Sequence, residues 1–201
     1  MSRGLRWAAV VVVLAVAGVV ALWPRTPDTA PGTAPDGASS TRTAPARDLA
    51  ALREQAALRP CPQGEGGPPP LRGVAVTCLG DGGSLDMGSA LPGRALVNFW
   101  ATWCLPCQDE LRVLDAYSRE PGAVPVVTVL VQSKEADGLE LLAKLGVRLP
   151  SAFSEPDAVR KAVGTPPRLP LSYVVGADGS LAEVVDPIVL TSVEQVREVV
   201  G

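Results

Sequence analysis

The stretch Ala95-Leu96-Val97-Asn98-Phe99-Trp100 is a continuous apolar run, and four residues later Cys104-Leu105-Pro106-Cys107 opens a helical pattern. A buried strand that turns directly into a helix with two thiols at the turn leaves few architectures open, because the strand must be covered on both faces. Unsatisfied backbone N–H groups and the macrodipole at a helix N-terminus favour an anion, so Cys104 is expected to ionise more readily than a free thiol. The expectation includes a solvent-reachable Cys104 sulfur. With two residues between them, the sulfurs fall within bonding reach, and Cys107 can resolve a bond that Cys104 makes to another molecule.

The same spacing also serves one knuckle of a zinc site or an inert structural bridge. Zinc would need further ligands, yet the chain has no histidine, and its other cysteines, Cys61 and Cys78, are not spaced as a second knuckle. Redox exchange is therefore the favoured reading, with no metal and no cofactor expected. Carriage of Cu(I) on the two soft thiolates stays open as a reading of a different class, without a histidine or methionine cluster to support it. The net charge is −3 and only 4% of residues are aromatic, so no basic face with interleaved aromatics suggests nucleic acid.

Before the domain, residues 1–6 read as a cytoplasmic tail and Trp7 to Trp23 as an uncharged apolar segment of Ala, Val and Leu. As a helix it would be roughly 25 Å long against a hydrocarbon core of about 30 Å. Arg3 and Arg6 precede it, which predicts a transmembrane signal anchor with a cytoplasmic N-terminus and an extracytoplasmic remainder. A cleaved signal peptide is the alternative, because Ala15-Val16-Ala17 has the small-x-small form, although it lies inside the apolar run. Residues 24–46 are rich in Pro, Ala and Thr and read as a disordered tether with a mean reach of roughly 25 to 30 Å.

Residues 47–201 suffice for one domain with a sizeable core. The pattern predicts a short helix from Asp48 to Leu58, a β-hairpin of Val74–Leu79 and Ser84–Met87, and the strand Ala95–Trp100. The helix after Cys107 should turn Leu111, Leu114 and Tyr117 inward and stop before Pro121-Gly122. The valine-rich run Val124–Val131 reads as a central strand parallel to the first, followed by a helix Glu135–Leu145 with Gly146 at its C-cap. Next come a strand Ser151–Phe153, a helix Asp157–Val163, a hairpin of Leu171–Val175 and Leu181–Val185, and a last helix behind the capping box Thr191-Ser192-Val193-Glu194. In an oxidising compartment Cys61 and Cys78 are expected to pair as a structural disulfide holding the segment between them, with a relay disulfide as the alternative.

Three elements in order, Leu96 to Cys107, Gln108-Asp109-Glu110-Leu111 and Leu169-Pro170 before a Tyr-Val-Val strand, resemble the thioredoxin superfamily. Within it the chain resembles the membrane-anchored TlpA/ResA-like thiol-disulfide oxidoreductases of bacteria. The resemblance implies an α/β thioredoxin-like fold with an N-terminal β-hairpin extension and a central inserted helical segment. It further implies a cis bond before Pro170, with Leu169 and Pro170 as one wall of a substrate cleft and Trp103 as another; an ordinary loop proline is the alternative. Asn98 stands where thioredoxin itself has a buried aspartate, and Glu110 where these relatives place an acid three residues after the second cysteine. Glu110 would share a helix face with Cys107 and accept its proton, unless it is simply a solvated first-turn acid, the role expected of Asp109. The implied catalytic set is Cys104, Cys107 and Glu110. Implied partners are protein disulfide substrates, such as apocytochrome c thiols or the cysteine ligands of a copper site, and a transmembrane thiol donor. Leu105 departs from the polar residue usual at its position, so the direction of exchange, reductant or oxidant, stays open.

Overall fold

The structure, a computed structural model, describes residues 47–201. The expected anchor (7–23) and tether (24–46) lie outside the described residues. Among those described, no helix is long and apolar enough to cross a membrane.

Seven strands form one sheet: β1 (Ala75–Cys78), β2 (Ser84–Asp86), β3 (Ala95–Trp100), β4 (Val126–Leu130), β5 (Ser151–Phe153), β6 (Leu171–Val175) and β7 (Leu181–Glu183). Their spatial order is β2-β1-β5-β4-β3-β6-β7. β3 pairs in parallel with β4 and antiparallel with β6, and every residue of β3 and β4 is buried. That burial accounts for their unbroken apolar sequences, since a strand covered on both faces has no solvent side to alternate with. The N-terminal hairpin does not merely precede this sheet. β1 pairs antiparallel with β5, so the hairpin extends the sheet at that end.

Among the described residues five α-helices accompany the strands: α1 (Leu49–Ala56), α2 (Leu105–Tyr117), α3 (Glu135–Leu145), α4 (Ala158–Val163) and α5 (Val193–Val200). Asp48 caps α1, its carboxylate accepting from the N–H groups of Ala50 and Ala51, and Arg53 ties this helix to Glu135 at the start of α3 at 2.5 Å. α1 stops two residues short of the expected Leu58, because Ala57 turns left-handed at φ 45°. Leu111, Leu114 and Tyr117 of α2 are buried as their spacing requires, and the Tyr117 hydroxyl accepts from the Val124 N–H at 3.0 Å. Gly146 closes α3 in the left-handed region, the C-cap role expected of it.

The last helix corrects the sequence reading by one residue. Its cap is Ser192, whose Oγ accepts from the Gln195 N–H, while Gln195 reaches back to accept from the Thr191 N–H. The cap and its partner are therefore Ser192 and Gln195 rather than Thr191 and Glu194, with the return bond running one residue back, to Thr191.

The apolar core has two parts. Leu96 and Trp100 of β3 join Leu111 and Leu114 of α2 in one cluster, whereas Val97 and Phe99 join Met87, Val127 and Val129 in the other. Alternation along β3 thus sends Asn98, between Leu96 and Trp100, to the face that α2 covers.

Candidate active site

Cys104 and Cys107 form a disulfide with a Cα separation of 5.3 Å. Cys104 is the N-cap residue of α2, Pro106 occupies its first turn and Cys107 lies within it. Proline fits there because its missing N–H would have had no helical partner. The turn that delivers Cys104 from β3 closes with its N–H bonded to the Ala101 carbonyl at 3.1 Å. Three further contacts pin it: the Thr102 N–H donates to Ser133 Oγ (3.0 Å), the Trp103 indole N–H to the Gln132 carbonyl (3.3 Å), and Gln108 Nε2 to the Thr102 carbonyl (3.1 Å).

The expectation of an open Cys104 sulfur needs correcting for this disulfide form. The residue keeps 4% of its surface accessible and Cys107 keeps none, because both belong to the apolar cluster under α2. Their neighbours are what solvent meets: Trp103 is 61% exposed and Leu105 72%.

Leu169-Pro170 has a cis peptide bond. In the β3/β6 register Phe99 faces Leu171, so this bond immediately precedes β6 at the end of the ladder nearest the cysteine turn. Pro170 is buried and Leu169 packs against both core clusters.

Glu110 is not a solvated first-turn acid. It is 1% exposed, and its Oε2 accepts from Asn98 Nδ2 at 2.7 Å while its Oε1 accepts from the Leu190 N–H at 2.8 Å. Burial pushes its pKa from the ordinary 4.5 up to about 7, against the opposing pull of the Leu190 and Asn98 donors. Being three residues from Cys107, it shares that residue's helix face. Asp109 takes the bland role, exposed and paired with Arg112.

Beside Trp103 a groove of about 550 Å³ runs between the segment after β4 (Gln132 to Lys134) and the segment after β5 (Ser154 to Asp157), with Phe153 in its lining. Gln132 and Asp157, both in the left-handed region without being glycine, meet across it in a 3.3 Å hydrogen bond.

No family model matches the chain. It is 32% identical over 94 residues to the thiol:disulfide interchange protein CycY of Rhizobium leguminosarum bv. viciae, covering 46% of this chain and 50% of CycY. To the thiol-disulfide oxidoreductase ResA of Geobacillus thermodenitrificans it is 25% identical over 93 residues, 44% of this chain and 52% of ResA. To thioredoxin C-2 of Corynebacterium nephridii it is 37% identical over 84 residues, which is 40% of this chain and 74% of that protein. The chain belongs to the thioredoxin superfamily. Its likeness to CycY and ResA extends over only about half the length of those two relatives. Among solved structures, dsbF of Mycobacterium tuberculosis superposes with a TM-score of 0.58 at 22% identity, over 66% of this chain and 96% of that one, a likeness of fold.

Around this thioredoxin-like centre the second cysteine pair is formed as expected. Cys61 and Cys78 are bonded with a Cα separation of 6.0 Å, and Cys78 lies on β1 opposite Ala152 of β5. Ser172 and Leu190, which meet the Asn98 and Glu110 side chains, were not legible as site residues: a serine in a strand and a backbone N–H carry no chemical signature in sequence. Nor was the groove, since nothing in the residue types of Gln132 or Asp157 requires a left-handed backbone.

Proposed function

We propose that this chain is a thiol-disulfide oxidoreductase that reduces selected protein disulfides, tethered to the membrane on its extracytoplasmic side. The observation that carries the reading is the Cys104–Cys107 pair at the start of α2 with a buried, near-neutral carboxyl, Glu110, on the same helix face. CycY and ResA, named for such exchange, support it. The uncharged segment Trp7 to Trp23 behind Arg3 and Arg6 supports the tethering.

In the reduced form, the Cys104 thiolate at the helix N-terminus attacks one sulfur of the target disulfide, and the other target sulfur leaves as a thiolate. The result is a mixed disulfide. Cys107 then gives its proton to the Glu110 carboxylate and attacks Cys104 Sγ, releasing the second target sulfur and leaving the Cys104–Cys107 bond. Two electrons have passed to the target. A base whose pKa lies near the working pH suits this transfer, because it takes and returns a proton with little bias. Trp103, Leu169 and Pro170 would flank the bound target, and a transmembrane thiol carrier would restore the dithiol. Fitting targets are apocytochrome c thiols before haem attachment or the cysteine ligands of a copper site.

The test is the rate at which the reduced full chain reduces a disulfide-containing apocytochrome peptide. The expected result is a rate well above that of a Cys104→Ala control; an equal rate would overturn the proposal. Equilibration with glutathione fixes the direction: a potential well below that of the glutathione couple marks a reductant, and one above it an oxidant.

A further inference from the structure

Asn98 sits on β3 directly opposite Ser172 of β6, fully buried, on the sheet face that α2 covers. Its two amide protons are spent on Glu110 Oε2 (2.7 Å) and on Ser172 Oγ (2.9 Å). Its carbonyl oxygen Oδ1 is buried with no partner. Leaving an amide oxygen unpaired in the interior costs stability, so packing alone would not select this arrangement. The ionised carboxylate selects it: with Glu110 charged, a turned-over amide would present Oδ1 to a carboxylate oxygen, acceptor against acceptor.

We infer that Asn98, fixed across the sheet by Ser172, is the positioning residue of the Glu110 carboxyl, favouring its ionised form by donation without contributing charge. The inference rests on the proposed role of Glu110 as the proton acceptor of Cys107. No charged side chain shares the task. Burial, the Leu190 N–H and the Asn98 amide are what shift Glu110. On the elements packed around it, β3 carries no ionisable residue, and Tyr173 of β6 lies in the opposite core cluster. Asp186 before Leu190 and Glu194, Arg197 and Glu198 of α5 are exposed. On its own helix the neighbours are Cys107, held in the disulfide, exposed Asp109 and Arg112, and Asp115, paired with Arg119. The amide thus favours the carboxylate without placing a second charge in the pocket.

The experiment follows the Glu110 carboxyl carbon by NMR through a pH titration of the full chain in its oxidised form, in wild type, Asn98→Leu, Ser172→Ala and Ser172→Thr. With one charge-assisted donor removed, Asn98→Leu should weaken Glu110 as an acid about tenfold or more, moving its midpoint upward. Ser172→Ala should move it in the same direction by less, and Ser172→Thr should restore it. A folded Asn98→Leu protein that titrates like wild type overturns the inference. If that variant does not fold, the serine pair decides: identical midpoints in wild type, Ser172→Ala and Ser172→Thr overturn it, and an Ala shift rescued by Thr upholds it. Because the titration needs no turnover, it is separate from the exchange assay, whose failure would remove the proposed reaction but leave the carboxyl's response as measured.

Discussion

At Glu110 two donors and the loss of water pull in opposite directions, and the loss of water prevails. The folded-state pKa of about 7 lies above the ordinary 4.5, so between those values the native state holds a proton that the unfolded chain releases. The contribution of this group to stability is therefore fully present below pH 4.5 and is lost as pH rises through 7. The shift corresponds to about 3 kcal/mol as an upper bound. Denaturant unfolding of the oxidised protein at pH 4.5, 6 and 8 should show wild type losing stability relative to Glu110→Gln across that window; parallel pH dependences would contradict the burial argument. In sequence, the resemblance to TlpA/ResA-like proteins marked Glu110, and the buried aspartate of thioredoxin marked Asn98. Their partners Ser172 and Leu190 come from segments more than 70 residues away from Asn98 and Glu110, and only the closed sheet brings them there.

Elements were legible wherever local chemistry was strong. The cysteine turn, the two wholly buried strands β3 and β4 and the Gly146 cap all stand where hydrophobic periodicity and backbone preference put them. The one-residue shift at α5 shows the limit: Thr191-Ser192-Val193-Glu194-Gln195 offers two overlapping capping boxes, and packing of Val196 and Val200 into the core chooses between them. Ser192→Ala should accordingly destabilise the fold by about 1 kcal/mol, and Thr191→Ala by clearly less, in thermal or denaturant unfolding. A greater loss at Thr191 would restore the earlier register. Gly67 gives a second check at this scale. It holds φ 78° and its missing Cβ would collide with the backbone of Gly88, so Gly67→Ala should cost upwards of about 2 kcal/mol, by strain and backbone displacement together.

For the whole molecule, the pairing of β1 with β5 joins segments some 75 residues apart, and no local pattern encodes which strand a hairpin will find. The Cys61–Cys78 bond was legible because an even cysteine count in a chain read as exported invites pairing; that it fastens the hairpin beside β5 was not. Replacing both residues by alanine should lower stability by about 3 kcal/mol in the chain-entropy account. Disulfide exchange at Cys104 and Cys107 should persist at a temperature where the variant remains folded, and its loss there would favour a relay role for the second pair. A Cys107→Ala chain expressed in its host should accumulate mixed disulfides through Cys104, which a Cys104→Ala, Cys107→Ala chain should lack.

The sheet also ends well for such a task. Its two outermost strands, β2 and β7, are three residues long, so each border exposes only a scrap of unpaired backbone. Under the proposed function, clients that arrive incompletely folded would bring extended segments seeking a mate, and a longer border would let them zip on and stay. Truncated rims would then leave sulfur chemistry as the durable grip, one that dissolves itself when the proposed reaction completes.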